Sequence, residues 1–129
     1  MLCNRSDGLG LGMLREAGID AAVVTAEMNP VVLRRCEKLK LECVQVPKEK
    51  LPALKQLLAA KKVDPAQVAY VGNDVNDLPC MNHVGCSIAV ADAWPTVLGA
   101  ASVVTTRRGG LGAVREVCDW FLHARPGAG

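Results

Sequence analysis

Apolar residues occur along this chain in two arrangements: short continuous runs, and longer stretches with helical spacing. The short runs predict strands, and the stretches with apolar residues three or four positions apart predict helices. The predicted strands span residues 21–25, 42–46, 68–71, 87–90 and 102–105. The predicted helices span residues 9–17, 30–39, 51–61, a short segment after Asp77, 94–100, and 111 to about 123.

Boundary residues support the first two helices. Asp7 can cap the first helix, which Gly18 ends. Asn29 can cap the second helix, in which Pro30 takes the first position. Because strands and helices alternate along the chain, the sequence predicts an α/β fold, a three-layer α/β/α Rossmann-like domain with a mostly parallel sheet. We expect residues 1–129 to form one such domain.

Composition narrows the kinds of core and partner that are possible. Hydrophobic residues make up 50% of the chain but aromatic residues only 3%, so the core must be aliphatic. This suits a valine-rich parallel sheet covered by helices rich in alanine and leucine. The formal net charge is +2, and no basic cluster with interleaved aromatic residues occurs. Nucleic acid and membrane surfaces are therefore not expected as partners.

Six cysteines could indicate disulfides or a zinc site, and they lie at positions 3, 36, 43, 80, 86 and 118. None forms a C-x-x-C pair, and His83 and His123 lie far from any paired thiols. We therefore interpret the cysteines as reduced, buried thiols of a cytoplasmic protein. No apolar run reaches transmembrane length, and no secretory signal is predicted.

The segment V-A-Y-V-G-N-D-V-N-D at residues 68–77 joins a strand to a cluster of polar residues. Gly72 breaks the apolar run, so Asn73, Asp74 and Asp77 follow the carboxyl end of the strand, where open α/β sheets bind ligands. Their oxygens suit Mg²⁺, which prefers a few carboxylates together with phosphate oxygens of a substrate. The alternative is an Asx-rich turn that caps the next helix.

This motif belongs to an ordered series of short motifs. V-G-C-S-I-A-V-A-D-A at 84–93 and G-G-L-G-A-V-R-E-V-C-D at 109–119 follow it, and N-R-S-D-G-L-G at 4–10, V-V-T at 23–25 and E-K-L at 49–51 precede it. The series covers nearly all of the chain. It resembles the haloacid dehalogenase superfamily, in the branch that contains 3-deoxy-manno-octulosonate 8-phosphate phosphatases and the related C-terminal domain of acylneuraminate cytidylyltransferases.

The resemblance implies a capless, Mg²⁺-dependent phosphatase for phosphorylated 3-deoxy-ulosonic acids that acts through an aspartyl-phosphate. Thr25 matches the family's Ser or Thr at a strand end, where a hydroxyl can bond a phosphoryl oxygen, although strand propensity alone would also favour a β-branched residue there. Lys50 matches a lysine that neutralises charge on the transferring phosphoryl group, and Lys48 is the alternative.

A further candidate site precedes the last predicted helix. Arg107, Arg108, Gly109 and Gly110 are the candidate substrate-binding residues, and the family has Gly-Gly-Arg-Gly at this point. Glycines and a helix N-terminus can cradle an anion, helped by the two arginines. A turn with solvated arginines is the alternative interpretation.

The chain departs from the family pattern at three points. Asn73 stands where phosphatases have a metal-binding aspartate, and Leu111 replaces an arginine. No Asp-x-Asp-Gly motif, which supplies the nucleophile and the general acid/base, occurs in the 129 residues, and Asp7-Gly8 matches a later loop of the family. We therefore expect a domain truncated at its N-terminus relative to the family, without the central first strand and with little or no activity of its own.

Two functions remain open from the sequence. Thr25, Lys50 and the two carboxylates at 74 and 77 favour the phosphatase. Asn73, Leu111 and the missing Asp-x-Asp favour a non-catalytic oligomerisation domain of an acylneuraminate cytidylyltransferase. Because capless members of the family generally assemble as tetramers in which neighbouring subunits cover the open site, the resemblance also implies a homo-oligomer, and we expect a tetramer that binds a phosphorylated sugar acid.

Overall fold

The computed structural model describes residues 12–26, 28–38, 40–47, 49–108 and 112–124. The strands are β1 (Ala22–Thr25), β2 (Glu42–Gln45), β3 (Ala69–Gly72), β4 (Cys86–Ala89) and β5 (Val103–Val104). The helices are α1 (12–16), α2 (Pro30–Lys38), α3 (Leu51–Lys61), α4 (Leu78–His83), α5 (Pro95–Ala100) and α6 (Ala113–Ala124). Short 3₁₀ turns at Pro65–Gln67 and Val75–Asp77 precede β3 and α4.

The strands form two parallel sheets within the described residues. In one sheet β1 pairs with β2, and Thr25 lies opposite Gln45. In the other sheet β4 lies between β3 and β5, and Tyr70 lies opposite Ser87. The sequence predicted parallel strands joined by helices, and this is confirmed, but the described strands form two sheets rather than one, because β1 and β3 do not pair with each other.

Observed element boundaries lie within one or two residues of the predicted ones, except at the first helix, which is described only from residue 12. Asn29 Oδ1 accepts the Val31 N–H at 2.9 Å and so begins α2 as expected. The last strand, Val103–Val104, is shorter than predicted by one residue at each end, although the Thr105 N–H still donates to the Ala89 carbonyl of β4 at 2.9 Å. The Thr105 hydroxyl accepts the Ala91 N–H at 3.0 Å and donates to the carbonyl of Arg107.

Ion pairs at the two ends of helix α3 show the relative direction of the two sheets. At its C-terminal end, Lys61 Nζ lies 2.7 Å from Asp20 Oδ2 and 3.9 Å from Glu42 Oε2, beside the amino ends of β1 and β2. At its N-terminal end, Lys50 Nζ lies 2.7 Å from Asp77 Oδ1, beyond the carboxyl end of β3. A helix of this length spans about 16 Å. The strands of the two sheets therefore run in the same direction, and the carboxyl ends of β1 and β3 lie at the same edge.

The core lies on the side of the three-stranded sheet. One buried cluster consists of Met81, Ala89, Val90, Ala93, Val97 and Ala113. A second consists of Leu54, Leu58 and Cys80, and Tyr70 of β3 packs against both clusters. Strand β4 is almost wholly buried, whereas β1 and β2 are half-buried.

Five of the six cysteines fall among the described residues, and none of these five forms a disulfide. Cys36, Cys80 and Cys118 are buried, and Cys43 and Cys86 are partly buried. In the described ranges no helix has the length and hydropathy needed to span a membrane.

Candidate active site

A tight turn follows β3 and begins the candidate site. Gly72 is buried there, and a Cβ at this position would lie 2.8 Å from both Asp77 Cβ and Met81 Sδ, which is too close for any side chain. Glycine therefore allows the next turn to fold back against the strand end. Within that turn the Asp74 carboxylate accepts the Val75 N–H at 2.6 Å, and the Asp77 carboxylate accepts the Asp74 N–H in return.

Asp77 is the centre of a buried hydrogen-bond network and is only 2% exposed. Its Oδ1 accepts Lys50 Nζ and the Tyr70 hydroxyl, both at 2.7 Å. Its Oδ2 accepts the backbone N–H groups of Asn73 at 3.0 Å and Asp74 at 3.2 Å. A carboxylate has about four acceptor positions. A direct bond from Asp77 to a metal would therefore compete with donors that the protein itself supplies.

The network also shifts the pKa values of Asp77 and Tyr70. Burial by itself would raise the pKa of Asp77, but the hydrogen bonds from Lys50, from the Asn73 N–H and from Tyr70 outweigh it and hold the pKa below its ordinary value. Burial and the hydrogen bond to Asp77 raise the pKa of Tyr70. Near neutral pH, Asp77 is therefore ionised and the Tyr70 hydroxyl remains a donor.

The three residues predicted to bind a metal differ in exposure. Asn73 and Asp74 are exposed, whereas Asp77 is buried behind them. One amide and one carboxylate fit Mg²⁺, which takes one or two carboxylates and keeps several waters. In the described part of the chain, no three His, Cys, Asp or Glu side chains are grouped closely enough to hold a metal without help from other ligands. The metal role of the three residues stays a prediction.

Thr25 and Lys50, the predicted catalytic residues, belong to different parts of this edge. Thr25 is the last residue of β1, is half-buried, and accepts the Val46 N–H at its carbonyl at 2.9 Å. Lys50 directly precedes α3, and its side chain is 11% exposed and bound to Asp77. The structure thus brings Lys50 to the loop after β3. Lys48, the alternative lysine, lies outside the described residues.

Backbone hydrogen bonds join the loops that follow β3, β4 and β5. The Trp94 N–H donates to the Asn73 carbonyl at 3.1 Å. The Ala91 N–H donates to the Arg107 carbonyl at 3.3 Å. The three loops therefore lie side by side along the carboxyl edge of the sheet, where ligands of open α/β sheets bind.

The predicted substrate-binding residues lie only partly within the described ranges. Arg107 and Arg108 are exposed at the end of β5, and Gly109 and Gly110 lie outside the described residues. Arg107 also lines an open groove of about 480 Å³, whose other lining residues are Arg115, Glu116, Asp119 and Trp120. The substrate-binding role of these residues stays a prediction.

Glu116 of α6 holds the backbone of the arginine loop, residues 105–108. Its carboxylate accepts the Thr106 N–H at 2.9 Å, the Thr106 hydroxyl at 3.0 Å and the Arg107 N–H at 2.9 Å. Burial would raise the pKa of Glu116, but the N–H groups of Thr106 and Arg107 outweigh it and hold the pKa below its ordinary value. Glu116 therefore fixes the position from which Arg107 extends.

Sequence reasoning missed Tyr70 and Glu116 as supports of the site. Tyr70 is the single tyrosine of a chain with 3% aromatic residues. A hydroxyl-bearing ring in an otherwise aliphatic strand could therefore have indicated a polar partner near the end of that strand. Nothing in the sequence marks Glu116, because its partners are backbone N–H groups of a distant loop.

Comparison with known proteins shows which family the chain resembles. A sequence profile of haloacid dehalogenase-like hydrolases matches residues 13–115. Over 123 residues, or 95% of its length, the chain is 43% identical to the 3-deoxy-D-manno-octulosonate 8-phosphate phosphatase KdsC of Yersinia pestis, and it covers 66% of that relative, slightly less than two thirds. A crystal structure of the Yersinia pestis phosphatase has a TM-score of 0.93 and 42% identity, covering 97% of this chain and 68% of that one.

Two further solved structures are similar and contain ligands. The cobalt-bound deoxy-D-mannose-octulosonate 8-phosphate phosphatase of Haemophilus influenzae has 37% identity and a TM-score of 0.91, covering 97% of this chain and 74% of that one. The corresponding phosphatase of Moraxella catarrhalis, in complex with a magnesium ion, a phosphate ion and a KDO molecule, has 34% identity and a TM-score of 0.89, covering 94% of this chain and 70% of that one.

Proposed function

The chain belongs to the haloacid dehalogenase-like hydrolase family, and from that premise we propose that it forms most of a Mg²⁺-dependent phosphatase domain for phosphorylated 3-deoxy-ulosonic acids. The expected substrates are 3-deoxy-manno-octulosonate 8-phosphate or a nonulosonate 9-phosphate. One observation carries the proposal: a lysine, Lys50, is held on buried Asp77 directly beside the exposed loop of Asn73 and Asp74. The ammonium can bind a phosphate oxygen, and the exposed oxygens of the loop can bind a divalent metal beside it.

Asn73 and Asp74 would hold the metal, with Asp77 fixing their backbone from behind. When bound, the ion would neutralise charge on the phosphate oxygens. Asn73 supplies an oxygen without negative charge, so it should bind a hard cation more weakly than an aspartate would.

The side chains around the loop would act on the phosphate and on the sugar acid. Lys50 has three N–H donors, and one is used on Asp77, so the others can approach a phosphoryl oxygen and offset its growing charge. Thr25 would donate its hydroxyl to another phosphoryl oxygen from the end of β1. Arg107 and Arg108, with Gly109 and Gly110 beside them in sequence, would bind the carboxylate of the sugar acid.

The nucleophile is the part of the reaction that these residues do not supply. The 129 residues contain no Asp-x-Asp-Gly, and the described parts of β1 and β3 do not pair with each other. We propose that in the complete family fold a strand carrying that motif lies between β1 and β3, so that its aspartates face Thr25 and the 73–77 loop. Residues 1–129 would then be a haloacid dehalogenase-like domain that lacks its central strand.

Phosphate release tests this proposal. The 129-residue chain should release no phosphate from octulosonate 8-phosphate in the presence of Mg²⁺, since loss of a nucleophile costs on the order of 10⁶-fold in hydrolase triads. A form extended at its N-terminus with a strand bearing Asp-x-Asp-Gly should gain activity, and Asn73→Asp should raise it further. Turnover by the short chain that Asp74→Ala abolishes would contradict the assigned roles.

A second candidate function is the non-catalytic oligomerisation domain of an acylneuraminate cytidylyltransferase. Exposed apolar side chains around the site favour an assembly role: Met28 is 54% exposed, Val31 53%, Val75 52% and Trp94 62%. Both functions imply a homo-oligomer, and we propose a tetramer in which neighbouring subunits cover this edge. Light scattering at micromolar concentration should report it, and a monomer at all concentrations would contradict it.

A further inference from the structure

Tyr70 occupies a position in the site that the proposed reaction does not use. Its hydroxyl donates to Asp77 Oδ1 at 2.7 Å, the same oxygen that accepts Lys50 Nζ at 2.7 Å. Two donors of equal distance thus share one carboxylate oxygen. Since Asp77 Oδ2 is occupied by two backbone N–H groups, Lys50 has only the remaining acceptor position of Oδ1.

The core holds the Tyr70 ring in place, so its hydroxyl takes one particular acceptor position of Asp77 Oδ1. The residue lies within β3, in register with Ser87 of β4. Tyr70 packs against both buried clusters, one of which contains Met81 and the other Cys80. The hydroxyl therefore extends from a ring that the core fixes, whereas Lys50 reaches Asp77 through a long flexible side chain.

We propose that Tyr70 is a positioning residue for Lys50: by occupying one acceptor position of Asp77 Oδ1, its hydroxyl confines the Lys50 ammonium to the other and directs it toward the open side of the 73–77 loop. Without the hydroxyl, the ammonium can move between two positions on the same oxygen and turn away from the loop. The functional value of this placement rests on the proposed phosphate-binding role of Lys50.

Chemical labelling of Lys50 tests the proposal in the 129-residue chain. Acetic anhydride acylates lysine amines that are accessible and deprotonated, so a lysine held in a buried ion pair reacts slowly. Mass spectrometry reports Lys50 relative to Lys61, which has its own partner in Asp20. Tyr70→Phe keeps the ring and leaves Lys50 bonded to Asp77, but the ammonium is no longer confined to one acceptor position. The ratio of Lys50 to Lys61 labelling should therefore rise about threefold, less than the loss of a strong hydrogen bond would give. An unchanged ratio in a folded Tyr70→Phe variant would overturn the proposal.

Ser87→Ala is the matched control, because it removes a buried hydroxyl from the residue directly opposite Tyr70. The Ser87 hydroxyl bonds Ser102 and not Asp77, so this variant should leave the labelling ratio unchanged. A rise equal to that in Tyr70→Phe would mean that general loosening of the sheet frees Lys50, which also overturns the proposal.

Labelling in the presence of phosphate tests the phosphate-facing role of Lys50 separately from its positioning by Tyr70. Inorganic phosphate with Mg²⁺ should slow labelling of Lys50 in the unaltered chain. If it does not, the phosphate-facing role of Lys50 fails, while the effect of Tyr70→Phe on the labelling ratio still decides whether the tyrosine positions the lysine.

A spectroscopic measurement covers the case in which Tyr70→Phe does not fold. The chain has one tyrosine, so a ζ-¹³C-tyrosine label gives a single NMR resonance that reports the hydroxyl's hydrogen bond. Lys50→Met should shift this resonance, because the two donors share one oxygen, and Lys61→Met should not. Equal resonances in Lys50→Met and the unaltered chain would overturn the proposal.

Discussion

Two carboxylates support neighbouring loops at the same edge of the sheet, and they do so in different surroundings. Asp77 accepts the N–H groups of Asn73 and Asp74, and Glu116 accepts those of Thr106 and Arg107. Asp77 is 2% exposed and also holds the side chains of Lys50 and Tyr70. Glu116 is only partly buried, and its hydrogen bonds lie in an exposed part of the structure.

Hydrogen bonds of the same kind, from backbone N–H groups to a carboxylate, therefore have different consequences in the two loops. Around Asp77 water cannot replace a lost partner, so removal of the charge leaves Lys50 as a buried, uncompensated cation. Around Glu116 water can take over the freed N–H groups. The loop after β3 is consequently the more rigid of the two, whereas the arginine loop can change its conformation at a smaller cost in free energy.

Asp77→Asn should have the largest effect of any change at these loops. The amide keeps the shape of the side chain but loses the charge that compensates Lys50. Breaking a buried ion pair by changing one partner typically costs about 3–5 kcal/mol. Urea denaturation at neutral pH would measure this loss in the free energy of unfolding.

Glu116→Gln is the matched control for that change, since it makes the same replacement in the exposed carboxylate. It should cost about 1 kcal/mol, because solvent compensates the lost bonds. Equal losses in the two variants would break the comparison, and would mean that Asp77 is no more isolated from water than Glu116.

Gly72→Ala should have the next largest effect and tests how rigidly the buried turn is packed. The added Cβ would lie 2.8 Å from Asp77 Cβ and Met81 Sδ, so the turn must move. Overpacking of this kind costs about 1–3 kcal/mol. Urea denaturation measures the loss, and hydrogen exchange should show faster exchange at the Asn73 and Asp74 amides.

Gly99→Ala in α5 is the control for that substitution, because nothing lies within 4 Å of the Cβ it would add. In an exposed helix interior the change from glycine to alanine is neutral or stabilises by up to about 1 kcal/mol. A Gly72→Ala variant as stable as Gly99→Ala would show that the turn after β3 yields easily, against the rigidity inferred for it.

The same contrast explains which features the sequence could predict. Apolar periodicity and capping residues such as Asn29 identified the strands and helices, because those signals are local. Strand β5 was predicted one residue too long at each end, because the residues at which pairing with β4 stops depend on the register between the two strands, which no local signal shows. The spacing from Gly72 to Asp77 predicted that a polar cluster follows a strand end, as it does, but the sequence could not show that four donors occupy the Asp77 carboxylate.

Lowering the pH should weaken the hydrogen bonds of the arginine loop through the protonation of Glu116. This effect should be smaller than those of the substitutions above. The pKa of Glu116 lies below its ordinary value of 4.5 in the folded chain, because the N–H groups of Thr106 and Arg107 favour the ionised form over the effect of burial. A group with a lowered folded pKa contributes stability that is fully present above the unfolded pKa and is lost as pH falls through the folded one. The contribution of Glu116 should therefore be complete at neutral pH, decline as pH falls past the unfolded value of about 4.3, and be lost below the lower pKa of the folded chain.

NMR of the Thr106 and Arg107 amides as pH is lowered would follow this loss at the loop itself. Their signals should move with the titration of Glu116, and in Glu116→Gln that movement should be absent, since the amide does not titrate. The Asn73 and Asp74 amides should not follow the same transition, because a different carboxylate, Asp77, holds them. If all four amides changed together in the unaltered chain and in Glu116→Gln, the two loops would unfold as one unit rather than through separate carboxylates, and the difference between them would not hold.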